Sequence, residues 1–416
     1  MATRTIADGG GNYNSTGTWV EGAVPTSADD VVATGTSGAL TVTAAAAAKT
    51  LILTGYTNTL TINSGYTLTV SGSVTLASGM TYAGTGTLAV AATATLTANG
   101  ITVSGALTLG TTTAMTMSLA DNWSVNGLFS NHTGASTQTL TINGSQIAIN
   151  AGWTHVGGYV AGTTTMLLAG TGTWTGVASP GTGRTVSNPI TINTAGTITI
   201  AATGPNFTNT TITYVAGTII TTGSTILLLG NMTFSGAFPQ FANITVSGSG
   251  TLTCDNAFSM SGTLRINEGI TFTLAGAVGY SCATLQLDSA STLKLPNSQT
   301  LTVSSSIVVS GTAFDTTTIS STTASTSSTL TYSGTQTNMK IAWCTFTDIA
   351  ATNPLWNHWG GTLTRTSGIT TTSYTPGDYS DPGEAQVATG TSYLYQGATK
   401  NGSYAGGGST VIVIED

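Results

Sequence analysis

Thr59-Leu60-Thr61-Ile62-Asn63-Ser64-Gly65-Tyr66-Thr67-Leu68-Thr69-Val70-Ser71-Gly72-Ser73-Val74-Thr75-Leu76 carries the pattern that decides the fold. Leu60 pairs with Ile62, Leu68 with Val70 and Val74 with Leu76, each pair separated internally by one threonine. Asn-Ser-Gly or Ser-Gly stands between the pairs. A period of two places the apolar set on one face of an extended chain and the threonines on the other. Threonine suits the wet face, because its β-branched side chain favours extended backbone while its hydroxyl stays in water. Glycine supplies the corners, where a positive φ is needed.

The unit recurs from about residue 38 to 345, as in Leu88 with Val90, Ile101 with Val103, and Leu107 with Leu109. Further along come Ile244 with Val246, Leu264 with Ile266, Leu285 with Leu287, and Leu301 with Val303. The runs are short and many, and no helix-period segment interrupts them. Ala44 to Ala48 is the one local run of helix formers, and it is too short to nucleate alone. Three all-β architectures compete for such a chain. A propeller needs a blade repeat of about 40–50 residues with its signature dipeptides, and none is present. Tandem sandwiches need longer strands and domain-sized breaks. A parallel β-helix uses short strands, tight corners and a continuous inward stack, and it is the expected fold. Coils of roughly 18–25 residues, three strands each, would give about 13–17 turns. The inward stack should hold Leu60, Ile62, Leu68, Val70, Leu88, Ile244, Val246, Leu264, Ile266, Leu285, Leu287, Leu301 and Val303.

Composition excludes other classes. The chain has 416 residues, 40% of them hydrophobic, only 6% charged, and a net charge of −7. Threonine alone exceeds a fifth. Coiled coils need far more Glu, Lys, Leu and Arg. Disordered chains are poorer in apolar residues, and the 53 glycines show no three-residue period. Eight scattered basic residues give no phosphate-binding patch, so nucleic acid is not an expected partner. No run of about 18 apolar residues predicts a membrane span, and the first residues contain no secretory h-region. Cys254, Cys282 and Cys344 are odd in number and widely spaced, which reads as small buried thiols rather than a disulfide framework or zinc site.

The ends change character. Residues 1–37 are expected to form an N-terminal cap or attachment segment, with Trp19 as a lid on the first coil. The solenoid proper is expected over 38–350, an end cap and linker over 351–383, and a small C-terminal β module over 384–416. Trp343, Trp356 and Trp359 crowd together near the solenoid's end, and Tyr393 and Tyr395 lie in the last segment. Aromatic residues dominate interfaces, so Trp19, Trp343, Trp356, Trp359, Tyr393 and Tyr395 are the expected capping and interface residues.

Candidate chemistry is sparse. Between Asp30 and Asp255 only Lys49, Asp121 and Arg184 are charged, too few for paired acid–base work. The remaining candidates are Asp255, Glu268, Asp288 and Asp315, whose spacings of 13, 20 and 27 could put two of them on neighbouring coils along one face, with Phe258, Phe272, Tyr280 and Phe314 as the nearby aromatics. Solvated turn positions, or a ladder with Arg265 and Lys294, is the expected reading. His132, His155 and His358 have no zinc-motif spacing. Asp8-Gly9-Gly10-Gly11-Asn12 has too few carboxylates for a calcium loop. No catalytic residue, metal or cofactor is assigned.

Gly17-Thr18-Trp19-Val20-Glu21-Gly22-Ala23-Val24-Pro25 with Asp29-Asp30-Val31-Val32 resembles the opening of β-solenoid proteins of tailed phages and bacterial surfaces. The stretch from Asp381 to Tyr393 with Gly397 to Gly402 resembles a short module of phage virion proteins, and Trp343 to Asp348 looks like a closing coil of the same class. The resemblance covers about 60 residues at the two ends and is one of texture between them. It implies an exposed, trimeric structural protein of the virion surface, made in the host cytoplasm. It would be a capsid decoration or head fibre, or a tail fibre or spike, attached to another virion protein and able to meet a host surface glycan. It carries over no catalytic residue. A bacterial adhesin or stalk would share the solenoid but needs an export or anchoring segment. A polysaccharide-degrading β-helix would need more carboxylates.

Overall fold

The computed structural model describes residues 2–110, 114–131, 139–155, 157–176, 185–221, 223–312, 314–335, 338–352, 356–358, 362–371, 385–389 and 392–396. Two compact units divide the chain, Met1–Ala242 and Asn243–Asp416. Both are parallel β-solenoid.

In the first unit each coil has three sides. One side is an eight-stranded sheet running from Thr3–Thr5 through Asp30–Val32, Thr50–Ile52, Val74–Thr75, Ala94–Thr97, Met115–Leu119 and Thr139–Gly144 to Tyr159–Ala161. A second side begins with Gly11–Asn12, Leu40–Val42, Thr59–Ile62 and Thr81–Ala83. The third stacks Ala46–Ala48, Thr67–Val70, Thr87–Val90, Ala106–Leu109, Phe129–Asn131 and Trp153–His155. Every strand pairs in parallel with its counterpart one coil on, so inward positions fall into columns. Leu68, Leu88, Leu107, Phe129, Trp153, Trp174 and Ile200 form one such column, all fully or nearly fully buried. The Trp153 and Trp174 rings stack with centroids 5.1 Å apart and planes 9° apart. Phe129 and Phe207 close the stack at 6.0 and 5.5 Å. The neighbouring column, Val70, Val90, Leu109, Asn131 and His155, turns polar at its end. There Asn131 Oδ1 accepts the Trp153 indole N–H at 2.8 Å, and His155 Nε2 lies 2.9 Å from the Gly158 carbonyl. The large indole ring is thus buried with its one polar atom satisfied.

One corner of this unit is built from glycine. Gly86, Gly105 and Gly127 stack coil on coil, with the Gly127 N–H donating to the Gly105 carbonyl at 3.1 Å and the Ala106 N–H to the Gly86 carbonyl at 3.0 Å. A Cβ on Gly105 would lie 2.0 Å from the Gly86 carbonyl oxygen, and one on Gly127 2.4 Å from that of Gly105. The chain can turn this tightly only without side chains.

The second unit repeats the plan. Asn243–Val246, Thr263–Ile266 and the C-terminal half of Tyr280–Leu287 make one side, extended by Thr300–Ser310 and Met339–Ala342. Gly250–Cys254, Thr271–Ala275, Thr292–Leu295, Thr317–Ser321, Cys344–Thr347 and Leu363–Thr364 make another. Phe258–Ser259, the start of Tyr280–Leu287, the start of Thr300–Ser310, Ser328–Tyr332 and Ile349–Thr352 make the third.

All thirteen residues expected in the inward stack are buried, none more than 1% exposed. Ala46–Ala48 is a strand, as its flanks require. The ladder reaches further at both ends than the hydrophobic alternation indicates. Thr3–Thr5 already pairs with Asp30–Val32, inside the segment expected as a cap, and Trp356–His358 pairs with Ile369–Thr371 beyond residue 350. Strand length also departs from expectation, since Ile190–Ile200, Thr210–Ile220 and Thr300–Ser310 each run for 11 residues. The first of these carries register shifts between Ile192 and Thr197, so two short runs join across a corner through an irregularity instead of a break. Ala385–Thr389 and Ser392–Gln396 form an antiparallel hairpin within the segment expected as a C-terminal module.

Candidate functional site

At the N-terminal coil the polar residues serve architecture. Trp19 is only 2% exposed, packs edge-on against Tyr13 at 5.1 Å, and donates its indole N–H to the Tyr13 carbonyl at 2.8 Å. It plugs the coil, and almost none of its ring is left for a partner. Asp29 accepts from the Thr26 hydroxyl (2.8 Å), the Thr26 N–H (3.0 Å) and the Ala2 N–H (3.0 Å), which together hold its carboxyl below the usual range. The glycines of Asp8-Gly9-Gly10-Gly11-Asn12 answer a close crossing. Gly11 N–H donates to the Ala39 carbonyl at 2.7 Å, and a Cβ on Gly10 would sit 2.2 Å from that oxygen.

The four candidate carboxylates lie in the second unit. Gly269 N–H donates to the Ser289 carbonyl and Ala290 N–H to the Asp315 carbonyl, both at 3.1 Å. Glu268, Asp288 and Asp315 therefore share one corner on successive coils. Asp288 is engaged there: its Oδ2 accepts from Arg265 Nε at 3.0 Å and Nη2 at 2.7 Å, and its Oδ1 from Gln286 at 3.1 Å. Asp255 occupies a different corner and accepts from Asn256 at 2.8 Å. Of the aromatics, Phe258, Phe272 and Tyr280 are core residues, whereas Phe314 is 97% exposed beside Asp315. Among the described residues, no group of three or more His, Cys, Asp and Glu side chains could hold a metal ion.

Sequence reasoning missed Asp348. Its side chain is almost wholly buried, and Arg365 grips it with Nε at 2.5 Å and Nη2 at 2.7 Å while the Ser325 N–H donates at 3.1 Å. The Arg365 hydrogen bonds pull its carboxyl below the usual range against the opposing effect of burial. A single Asp at the bend between two short strands gives no sequence signal of a partner 17 residues away.

Trp343 is half-buried, with φ of 46° at the corner before Cys344–Thr347. Trp356 and His358 lie in a paired strand and Tyr393 and Tyr395 in the hairpin, but their side chains are outside the described residues, as are Trp359, His132 and Arg184 entirely. The structure does not bring these aromatics into one described cluster.

The three cysteines are free and buried in the core. Burial pushes the thiols of Cys254 and Cys282 up to about 12 and that of Cys344 higher still. In the folded protein at about pH 8, all three should resist a water-soluble disulfide reagent and react only after guanidinium unfolding. Labelling of any one under native conditions would contradict this packing.

The second unit carries a hydroxyl lattice two columns wide on one side. Thr271, Thr292, Thr318 and Thr345 stand in register on successive coils, and Thr362 Oγ1 follows 3.2 Å from Thr345 Oγ1. Beside them run Thr251, Thr273, Lys294, Ser320, Thr347 and Thr364. Every member except Lys294 is Thr or Ser. All point away from the buried Phe272, Leu293, Ile319 and Phe346. The side containing Thr245 differs, with Arg265, Gln286, Val308 and Lys340 following in its column.

The chain matches no family model, no curated protein and no solved structure. Among the described residues no helix is long and apolar enough to cross a membrane.

Proposed function

We propose that this chain is a non-enzymatic structural protein on the surface of a tailed-phage particle. It would serve as a capsid decoration protein or head fibre, or as a tail fibre or spike that contacts the host. The observation that carries this reading is the division of the solenoid into a mainly apolar interior and a threonine-covered exterior with few charges. Such a surface has little electrostatic energy for salt to screen. A backbone hydrogen-bonded from coil to coil offers proteases few local openings. The corner holding Glu268, Asp288 and Asp315 fits a solvated charge ladder, because Asp288 is already engaged by Arg265. The resemblance of both chain ends to virion solenoid proteins supports the same assignment.

On this reading the protein forms a homotrimer through the region from about residue 343 to 416, attaches to another virion protein, and can meet a host glycan. Mass spectrometry of purified particles should find the chain in stoichiometric amounts. Light scattering should give a trimer at micromolar concentration that is lost on truncation near residue 340. Recovery from the bacterial envelope in uninfected cells, and not from particles, would replace this reading with a cell-surface adhesin.

A further inference from the structure

We propose that the hydroxyl lattice of the second unit binds ice. The proposal does not depend on the virion assignment. The face presents Thr271, Thr292, Thr318, Thr345 and Thr362 beside Thr251, Thr273, Lys294, Ser320, Thr347 and Thr364. In-register parallel strands repeat about every 4.8 Å across coils, and alternate residues repeat about every 6.6 Å along each strand. The result is a two-dimensional grid of hydroxyls with two fixed repeats, a regular template on which water molecules can be ordered.

Chemistry narrows the ligand to ordered water. Each threonine offers one donor and two acceptor positions next to a methyl group, so it can anchor a water molecule and shape the cage around the methyl. The grid has no aromatic ring on which a sugar could stack and a single charge, Lys294, to attract an ion or a charged polymer. A second copy of the chain is a poor occupant as well. Stable protein interfaces centre on aromatic or arginine anchors in an apolar core, and this face has neither. The grid is also already ordered. Each threonine is stiff about χ1, and Thr271, Thr292, Thr318 and Thr345 stand on strands hydrogen-bonded on both sides, so binding a crystal lattice costs little additional entropy.

Lys294 interrupts the grid near its middle, which makes the proposal testable in both directions. The test uses the full-length protein in two assays, ice recrystallisation inhibition and partitioning into a slowly growing ice front. The wild-type chain is expected to inhibit recrystallisation and to enter the ice. Thr318→Tyr places a bulky ring at the centre and should raise the concentration needed by about tenfold, the loss of one central anchor. Lys294→Thr completes the column and should lower it. Thr245→Tyr, on another side of the same unit, lies in the mixed column with Arg265, Gln286, Val308 and Lys340; it should change nothing. Circular dichroism checks each fold, and Thr345→Lys replaces Thr318→Tyr if that variant loses its β signal. Exclusion of the wild-type protein from ice would overturn the proposal. So would equal losses in the Thr318 and Thr245 variants.

Discussion

Replacing Trp153 by alanine is expected to destabilise the first unit by about 4 kcal/mol or more, the upper part of the range for large aromatic truncations. The ring is 1% exposed and lies between Phe129 and Trp174 in the inward column. Its removal leaves a cavity between coils that hydrogen bonds fix at a constant spacing, so the walls cannot collapse to fill it. It also strips Asn131 Oδ1 of its donor inside the core, a further penalty of about 1–3 kcal/mol for an orphaned buried acceptor. Trp153→Phe should recover part of the packing but not the hydrogen bond, and Trp153→Phe combined with Asn131→Leu should recover more. Guanidinium unfolding followed by tryptophan fluorescence measures the series. A loss below about 1 kcal/mol for the alanine variant would mean that the column is loosely packed there.

Gly105→Val should cost at least about 3 kcal/mol, at or beyond the top of the usual range for overpacking. The nearest atoms to the added Cβ are backbone, the Gly86 carbonyl oxygen at 2.0 Å and its carbon at 3.1 Å, and backbone cannot rotate away as a side chain can. Relief requires the two coils to part at that corner, which breaks the hydrogen bond from Ala106 N–H to the Gly86 carbonyl. A parallel Gly55→Val change is the control for surface bulk: a Cβ there meets nothing within 4 Å, although its φ of 78° adds backbone strain. A lower thermal midpoint for Gly105→Val than for Gly55→Val is the expected order. The reverse would show that conformation, not space, governs these glycines.

Both effects follow from columns, and the columns were legible in part. Leu60 with Ile62 and Leu68 with Val70 announce their inward faces because a threonine separates them, and the structure buries all four completely. Thr3–Thr5 gave no such signal, because Thr-Arg-Thr has no apolar member to alternate, and only its pairing with Asp30–Val32 makes it a strand. The 11-residue strands are hidden for a related reason: Asn193-Thr194-Ala195-Gly196 reads as a turn, yet the backbone continues through it as one strand whose pairing shifts register there and resumes at Thr197. Register between coils has no local signature at all. The joining of Glu268, Asp288 and Asp315 at one corner, the grip of Arg365 on Asp348, and the alignment of Thr292 under Thr318 all depend on how many residues each loop consumes. Trp19 was recognised as special, but its sequence context could not distinguish a plug facing inward from an anchor facing outward.

The parallel register bears on how the protein is made. Along the aromatic column of the first unit, partners one coil apart are separated by 19 residues from Leu88 to Leu107 and 24 from Phe129 to Trp153. Every coil therefore closes a loop of nearly the same length, and the entropic cost of adding a coil does not grow with the length of chain already folded. At ribosomal speeds a coil's worth of chain emerges in roughly one to five seconds. Each new coil finds its template complete and waiting, since the strand it must join was synthesised just before it. Assembly of the unit can keep pace with translation, and among the described residues the unpaired strand edges at any moment are those of the first coil and of the last coil formed.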